Sequence, residues 1–242
     1  MTHRDNLFGG SVAEIYETCM VPMLFEPYAT DLVNRLRTHT CTRVLEIGAG
    51  TGVVTRALAA ALPPDTVLVA TDLNQAMLDR AAAAVTGGRV EWRQADAGRL
   101  PFPDASFDTV VCQFAAMFFP DKRRAFGEAR RVLTPGGIFV FNVWDRLAGN
   151  EFAETVDGAV AALFPHDPPR FMARTPHGYH DRSLVERDLA AGGFTERPRI
   201  DTVAARSRAE SARAAAALSD RFGAGPIDGR MQAHVIVAMR SA

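Results

Sequence analysis

A short apolar run that ends in a cluster of glycines constrains this 242-residue chain more than any other stretch. Residues 43–52 read Arg-Val-Leu-Glu-Ile-Gly-Ala-Gly-Thr-Gly. Val44, Leu45 and Ile47 have the side chains of a short buried strand. Glu46 interrupts them, and Gly48, Ala49, Gly50, Thr51 and Gly52 then form a tight turn into an alanine-rich helix. Glycine serves where backbone takes an unusual φ or must approach a ligand closely. A strand, a glycine turn and a helix N-terminus together leave free N–H donors at one point, which makes a small-molecule site.

From residue 43 onward strands and helices alternate, which argues for a parallel sheet covered on both faces. The pattern predicts strands over 43–47, 66–71, 89–94, 107–114 and 138–144. Between them it predicts helices over 51–61, from an Asn74 cap to about Val85, and over 121–133. Pro63-Pro64, Gly87-Gly88 and Pro135-Gly136-Gly137 are the punctuation, the last read as a turn. Ahead of the first strand, a helix from Ser11 through Cys19 and another from about Tyr28 to Arg37 flank breaks at Pro22 and Pro27. Beyond residue 150 the pattern is less regular. It predicts helices over 150–163, 182–191 and 209–222, an irregular proline-rich stretch to Asp181, and strands over 194–205 and 234–239.

The chain carries 27 basic and 28 acidic side chains, so no basic excess points to nucleic acid. Arg123, Arg124, Arg130 and Arg131 cluster locally and read as a solvated helix face. Cys19, Cys41 and Cys112 have no metal-ligand spacing and read as reduced thiols of a cytoplasmic protein, Cys112 as a small core hydrophobe. No 18-residue apolar run predicts a membrane span, and the first residues lack the apolar core of a signal peptide.

Three segments carry a family resemblance. Glu46, Gly48, Gly50 and Gly52 match E-x-G-x-G-x-G. Residues 96–110 match D-A-x-x-L-P-F-x-D-x-S-F-D-x-V, and 131–137 match R-V-L-x-P-G-G. Together they resemble the class I S-adenosylmethionine-dependent methyltransferases, in particular the methyltransferase type 11, or ubiquinone/menaquinone-biosynthesis-like, family. The competing dinucleotide fingerprint G-x-G-x-x-G needs a glycine or alanine where this chain has Val53, and a dinucleotide fold has no reason to carry the 96–110 segment. The resemblance covers 43–144 well, the preamble moderately and the chain after 150 weakly.

The resemblance implies an α/β fold: a Rossmann-like, seven-stranded, mostly parallel sheet with helices on both faces and the last strand antiparallel. It implies a single methyltransferase domain over 1–242, with 1–40 an N-terminal helical lid and 149–182 an irregular insertion near the acceptor site. The cofactor is then S-adenosylmethionine, leaving S-adenosylhomocysteine. Gly48, Ala49, Gly50 and Gly52 face its methionine end, Glu46 orients the turn or the amino group, and Asp72 holds the ribose. Leu73 and Met77 sandwich the adenine, Met77 fitting plain core equally well. Asp96 and Ala97 read the adenine edge. Gln113 and Phe114 lie between the methionine part and the acceptor, and Tyr16 is a lid contact.

The implied reaction is in-line methyl transfer to a small-molecule acceptor, on O, N or C, by a monomer or homodimer. The family has no fixed catalytic residue, so none is carried over. His166, His177 and His180, beside Tyr179 in the proline-rich stretch, are candidate bases whose simpler reading is surface histidine. Two other functions stay open from the sequence: a nicotinamide-dependent oxidoreductase and a non-catalytic S-adenosylmethionine-binding protein.

Overall fold

A computed structural model describes residues 16–85, 88–209 and 227–241. The glycine turn lies at the middle of a seven-stranded sheet. The strands are β1 (Arg43–Ile47), β2 (Val67–Asp72), β3 (Val90–Gln94), β4 (Phe107–Gln113), β5 (Leu133–Trp144), β6 (Arg199–Ala209) and β7 (Ile227–Met239). Their order is β3-β2-β1-β4-β5-β7-β6. The first five pair in parallel, and β7 runs antiparallel between β5 and β6. Strand order reverses between β1 and β4. In such sheets the crevice outside the strands' carboxyl ends at that reversal is where ligands bind.

The helices are α1 (Glu26–Leu36), α2 (Val53–Ala61), α3 (Gln75–Ala84), α4 (Lys122–Val132), α5 (Glu151–Leu163), α6 (Phe171–Arg174) and α7 (Arg182–Ala191). Successive strand residues point to opposite faces, and the two cores follow that alternation. Val44 and Val140 pack with Leu32 and Leu36 of α1 and Leu58 of α2. Leu45, Phe139 and Phe141 pack on the other face with Phe126 of α4, Leu189 of α7 and Phe194. Both faces are therefore covered by helices, as the near-continuous apolar strands require.

Several expected boundaries move. Pro135-Gly136-Gly137, expected as a turn, lies inside β5, and the register jumps there from Phe107↔Leu133 to Thr109↔Ile138. The residues in between bulge out, with Gly136 N donating to Arg240 O and Arg240 N to Gly137 O. β6 begins at Arg199 rather than 194, because Phe194 turns into the core and Pro198 has no N–H for the ladder. β6 and β7 extend as a ribbon to Ala209↔Ile227, so Ala209 and residues 227–229 are strand. The helix expected over 209–222 otherwise lies outside the described residues, as does residues 11–15 of the first expected helix. Pro22, expected as a break, sits within a helical segment, Tyr16–Phe25, wound in the wider i→i+5 manner. Pro27 stands in the first turn of α1, where the missing N–H is not needed.

Candidate functional site

A cavity of about 450 Å³ opens at the carboxyl ends of β1, β2 and β4. Gly48 and Gly50 form its floor. Both have positive φ, +71° and +55°, which side-chain-bearing residues adopt only at a cost. A Cβ on Gly48 would meet Ala115 Cβ at 2.5 Å, whereas one on Gly50 would meet nothing within 4 Å and would project into free space. The turn is thus tight on its protein side at Gly48 and open on its cavity side at Gly50.

One wall of the cavity is acidic. Asp72, at the end of β2, accepts from Gly50 N through Oδ2 at 2.8 Å and from Asn74 N through Oδ1 at 2.8 Å. Its carboxylate thus occupies an N–H of the glycine turn, and burial pushes its pKa up. Leu73 follows, exposed (58%) beside the opening, while Met77 on α3 lines the cavity from the core. Asp96 and Ala97 come from the loop after β3, where Asp96 Oδ1 accepts from Gly98 N at 2.8 Å. No lysine, arginine or histidine lines this cavity among the described residues. Two carboxylates without a cation favour a positively charged ligand.

The opposite wall is aromatic. Phe114 has a φ of +47°, a strained conformation of the kind that clusters at functional sites. Its N–H, donating to Asn142 Oδ1 at 2.9 Å, is fixed by β5. Its ring stacks on Trp144 at 3.8 Å between centroids, with Tyr28 and Phe25 against the pair. Gln113 lines the cavity and donates through Nε2 to Phe25 O, tying the Tyr16–Phe25 segment to the end of β4. Phe118, Phe119 and Pro120 complete this wall.

Three of the expected site residues, Glu46, Ala49 and Gly52, do not line the cavity. Glu46 is fully buried beneath the turn, where its Oε2 accepts from Thr55 Oγ1 of α2 at 2.5 Å and its main-chain O from Thr71 Oγ1. Burial pushes its carboxyl up to about 8. Ala49 and Gly52 shape the turn instead: Ala49 N donates to Thr71 O, and Gly52 N to Ala49 O. The side chain of Tyr16 lies outside the described residues.

Asn142 and Trp144 were missed from the sequence, although an asparagine inside the apolar run Phe-Val-Phe-Asn-Val-Trp is a signal that a buried polar group is needed there. Of the three histidines expected at the surface, His166 and His180 are exposed, but His177 is buried, at 3%. His177 Nδ1 bonds Asp145 O at 2.8 Å, and the ring lies 5.9 Å from Trp144. Packing against the end of β5, invisible to local sequence, explains that difference.

The methyltransferase domain family matches residues 45–141. Among curated relatives, the ubiquinone/menaquinone biosynthesis C-methyltransferase UbiE of Pseudomonas savastanoi pv. phaseolicola is 35% identical over 169 residues, 64% of this chain and 66% of that protein. The protein of the same name from Stutzerimonas stutzeri is 29% identical over 165 residues, 63% of this chain and 64% of its own length. The chain thus spans just under two thirds of these relatives. The YcgJ protein of Bacillus subtilis superposes with a TM-score of 0.62 at 20% identity, covering 89% of this chain and 99% of its own. Phosphoethanolamine N-methyltransferase 2 of Haemonchus contortus, solved with S-adenosyl-L-methionine, gives 0.68 at 16% identity, covering 100% of this chain and 60% of its own. At those identities the two structures bear on the fold alone, a Rossmann-like seven-stranded sheet.

Proposed function

We propose that this protein is a class I methyltransferase that transfers a methyl group from S-adenosylmethionine to a small-molecule acceptor, residues 45–141 matching the methyltransferase domain family. The observation that carries the reading is the charge of the cavity. A diphosphate-bearing dinucleotide uses the N–H groups of its glycine turn. Here Gly50 N already donates to the Asp72 carboxylate, and Asp96 adds a second negative charge. A cationic ligand fits that wall, and with Gly50 N already taken the turn offers a diphosphate one donor fewer, which weighs against the oxidoreductase reading.

In this reading Gly48 and Gly50 let the ligand lie close on the backbone of the turn. Asp72 keeps an oxygen lone pair for a ribose diol beyond its backbone bonds. Leu73 and Met77 flank the base, and Asp96 with Ala97 receives its polar edge. S-adenosylmethionine, when bound, supplies a methyl already activated on a cationic sulfur. What remains for the chain is to place the acceptor and exclude water. Gln113 and Phe114, with Phe118 and Phe119, form the wall suited to that task, and its apolar surface favours an apolar acceptor. Among the described residues no helix is long and apolar enough to cross a membrane. Cys41 and Cys112 are free, buried thiols, consistent with a reducing compartment.

Calorimetric titration with S-adenosylhomocysteine and with NAD separates the readings: binding of the first and not the second is expected, and the reverse order would overturn the proposal. Incubation with methyl-labelled S-adenosylmethionine and a cell extract, followed by organic, aqueous and acid-precipitable separation, then tests transfer. Label in either soluble fraction is expected. Label in the precipitate would replace the small-molecule acceptor by a macromolecule, and binding without transfer to any fraction would favour a non-catalytic role.

A further inference from the structure

We propose that Arg131 and Glu128 of α4 are positioning residues that hold the loop between β3 and β4 in the shape that presents Asp96 and Ala97 to the base of the bound cofactor. The inference rests on the reading of the cavity given above. The loop has reason to need such a support. It carries Pro101 and Pro103, which donate no backbone hydrogen bond, and Ala105 takes a φ of +52°. Its only bridge of strand type is the local one between Asp96 and Arg99.

The support comes from one face of α4. Arg131 Nη1 donates to Phe102 O at 2.7 Å and to Asp104 Oδ1 at 2.8 Å, and Nη2 to Leu100 O at 3.0 Å. Glu128 Oε2 accepts from Leu100 N at 2.7 Å. Leu100 is therefore held at both its N–H and its C=O, as it would be by a neighbouring strand. Arg131 and Glu128 in turn hold each other, Nε to Oε1 at 2.7 Å and Nη2 to Oε2 at 2.8 Å. Nearer the cavity, Arg124 Nε donates to Gly98 O at 2.7 Å, and Gly98 N donates to Asp96 Oδ1. Two braces thus run from one face of α4 to the loop: Arg131 and Glu128 fix Leu100, Phe102 and Asp104, and Arg124 reaches the Asp96 carboxylate through Gly98. They also join in space the two sequence segments, 96–110 and 131–137, that were matched separately. Only a planar fork reaches two carbonyls and two carboxylates at once, so lysine is no substitute for Arg131.

The test compares S-adenosylhomocysteine with S-inosylhomocysteine, which has an oxo group in place of the exocyclic amine, by calorimetry on the full chain. Wild type is expected to prefer the adenosyl probe, because a carboxylate at Asp96 accepts from the amine and repels the oxo group. R131Q is expected to reduce that preference about tenfold, the scale of one lost hydrogen bond, by weakening the adenosyl probe alone. R131K is expected not to restore it. R124Q, which alters an exposed side chain, is expected to shift the preference the same way by less and serves if R131Q does not fold. Equal weakening of both probes, with the preference intact, would mean that the arginines act only on stability and would overturn the inference. Equal binding of both probes by wild type would overturn it as well, through Asp96. Wild type that binds neither probe would instead overturn the cofactor reading on which it rests.

Discussion

At the scale of single residues, the two acidic side chains at the glycine turn do opposite things. Asp72 faces the cavity and is held by backbone donors, so its loss removes both a ligand contact and a brace of the turn. Asp72→Ala is expected to weaken S-adenosylhomocysteine binding by about 1–3 kcal/mol, the range for a lost charge-assisted bond, and unchanged affinity by calorimetry would refute the assignment. Glu46 faces away, into the core with Thr55. Burial lifts its carboxyl from 4.5 to about 8, so through that interval the folded chain keeps a proton that the unfolded chain has released. Stability from this group therefore falls as pH rises from about 5 to about 8. Glu46→Gln keeps a neutral partner for Thr55 without that proton. Urea unfolding of the ligand-free protein is expected to show Glu46→Gln gaining on wild type as pH rises across that interval. A gap that stays constant would show that Glu46 is ionised in the fold.

At the scale of elements, the glycine turn separates packing from binding. Gly48 combines a φ of +71° with a contact to Ala115 at the end of β4, so Gly48→Ala must push that segment away. The expected cost is about 1–3 kcal/mol of stability. Gly50→Ala carries backbone strain of about 1–2 kcal/mol but no clash, and its methyl lands in open space at a residue that lines the cavity. Scanning calorimetry should find Gly48→Ala the less stable, and titration should find that Gly50→Ala loses more affinity than stability. Equal effects on both quantities would remove the distinction. This turn was legible in the sequence because glycine spacing and the flanking strand are local signals, and β1 to β4 fell within a residue or so of expectation for the same reason. The bulge in β5 and the stack of Phe114 on Trp144 depend on partners more than 25 residues away. Nothing in the local pattern marks Phe114 as a residue with positive φ. The resemblance placed Gln113 and Phe114 between the cofactor's methionine part and the acceptor, but the construction of this aromatic wall from β4, β5 and α1 became visible only in the fold.

At the scale of the whole molecule, the cavity joins parts that are otherwise held by different neighbours. Gly50, Asp72 and Met77 belong to the β1–β2–α3 side of the strand reversal, and Gln113, Phe114 and Phe118 to the β4–β5 side. The Asp96 loop is a third part, braced on α4. A ligand filling the cavity touches all three at once, so its binding energy is expected to stabilise the fold as a unit rather than one loop. Free S-adenosylhomocysteine at a hundred times its Kd adds about 2.7 kcal/mol to unfolding. For a chain of this length each kcal/mol raises Tm by about 2–4 °C, so a rise of about 5–10 °C in a single cooperative transition is expected. NAD at the same concentration is expected to leave Tm unchanged, because the Gly50 N–H that a diphosphate would use is held by Asp72. A transition that splits in two on adding S-adenosylhomocysteine would show that the ligand grips only one side of the reversal. The Gln113–Phe114 wall would then not be part of the bound site.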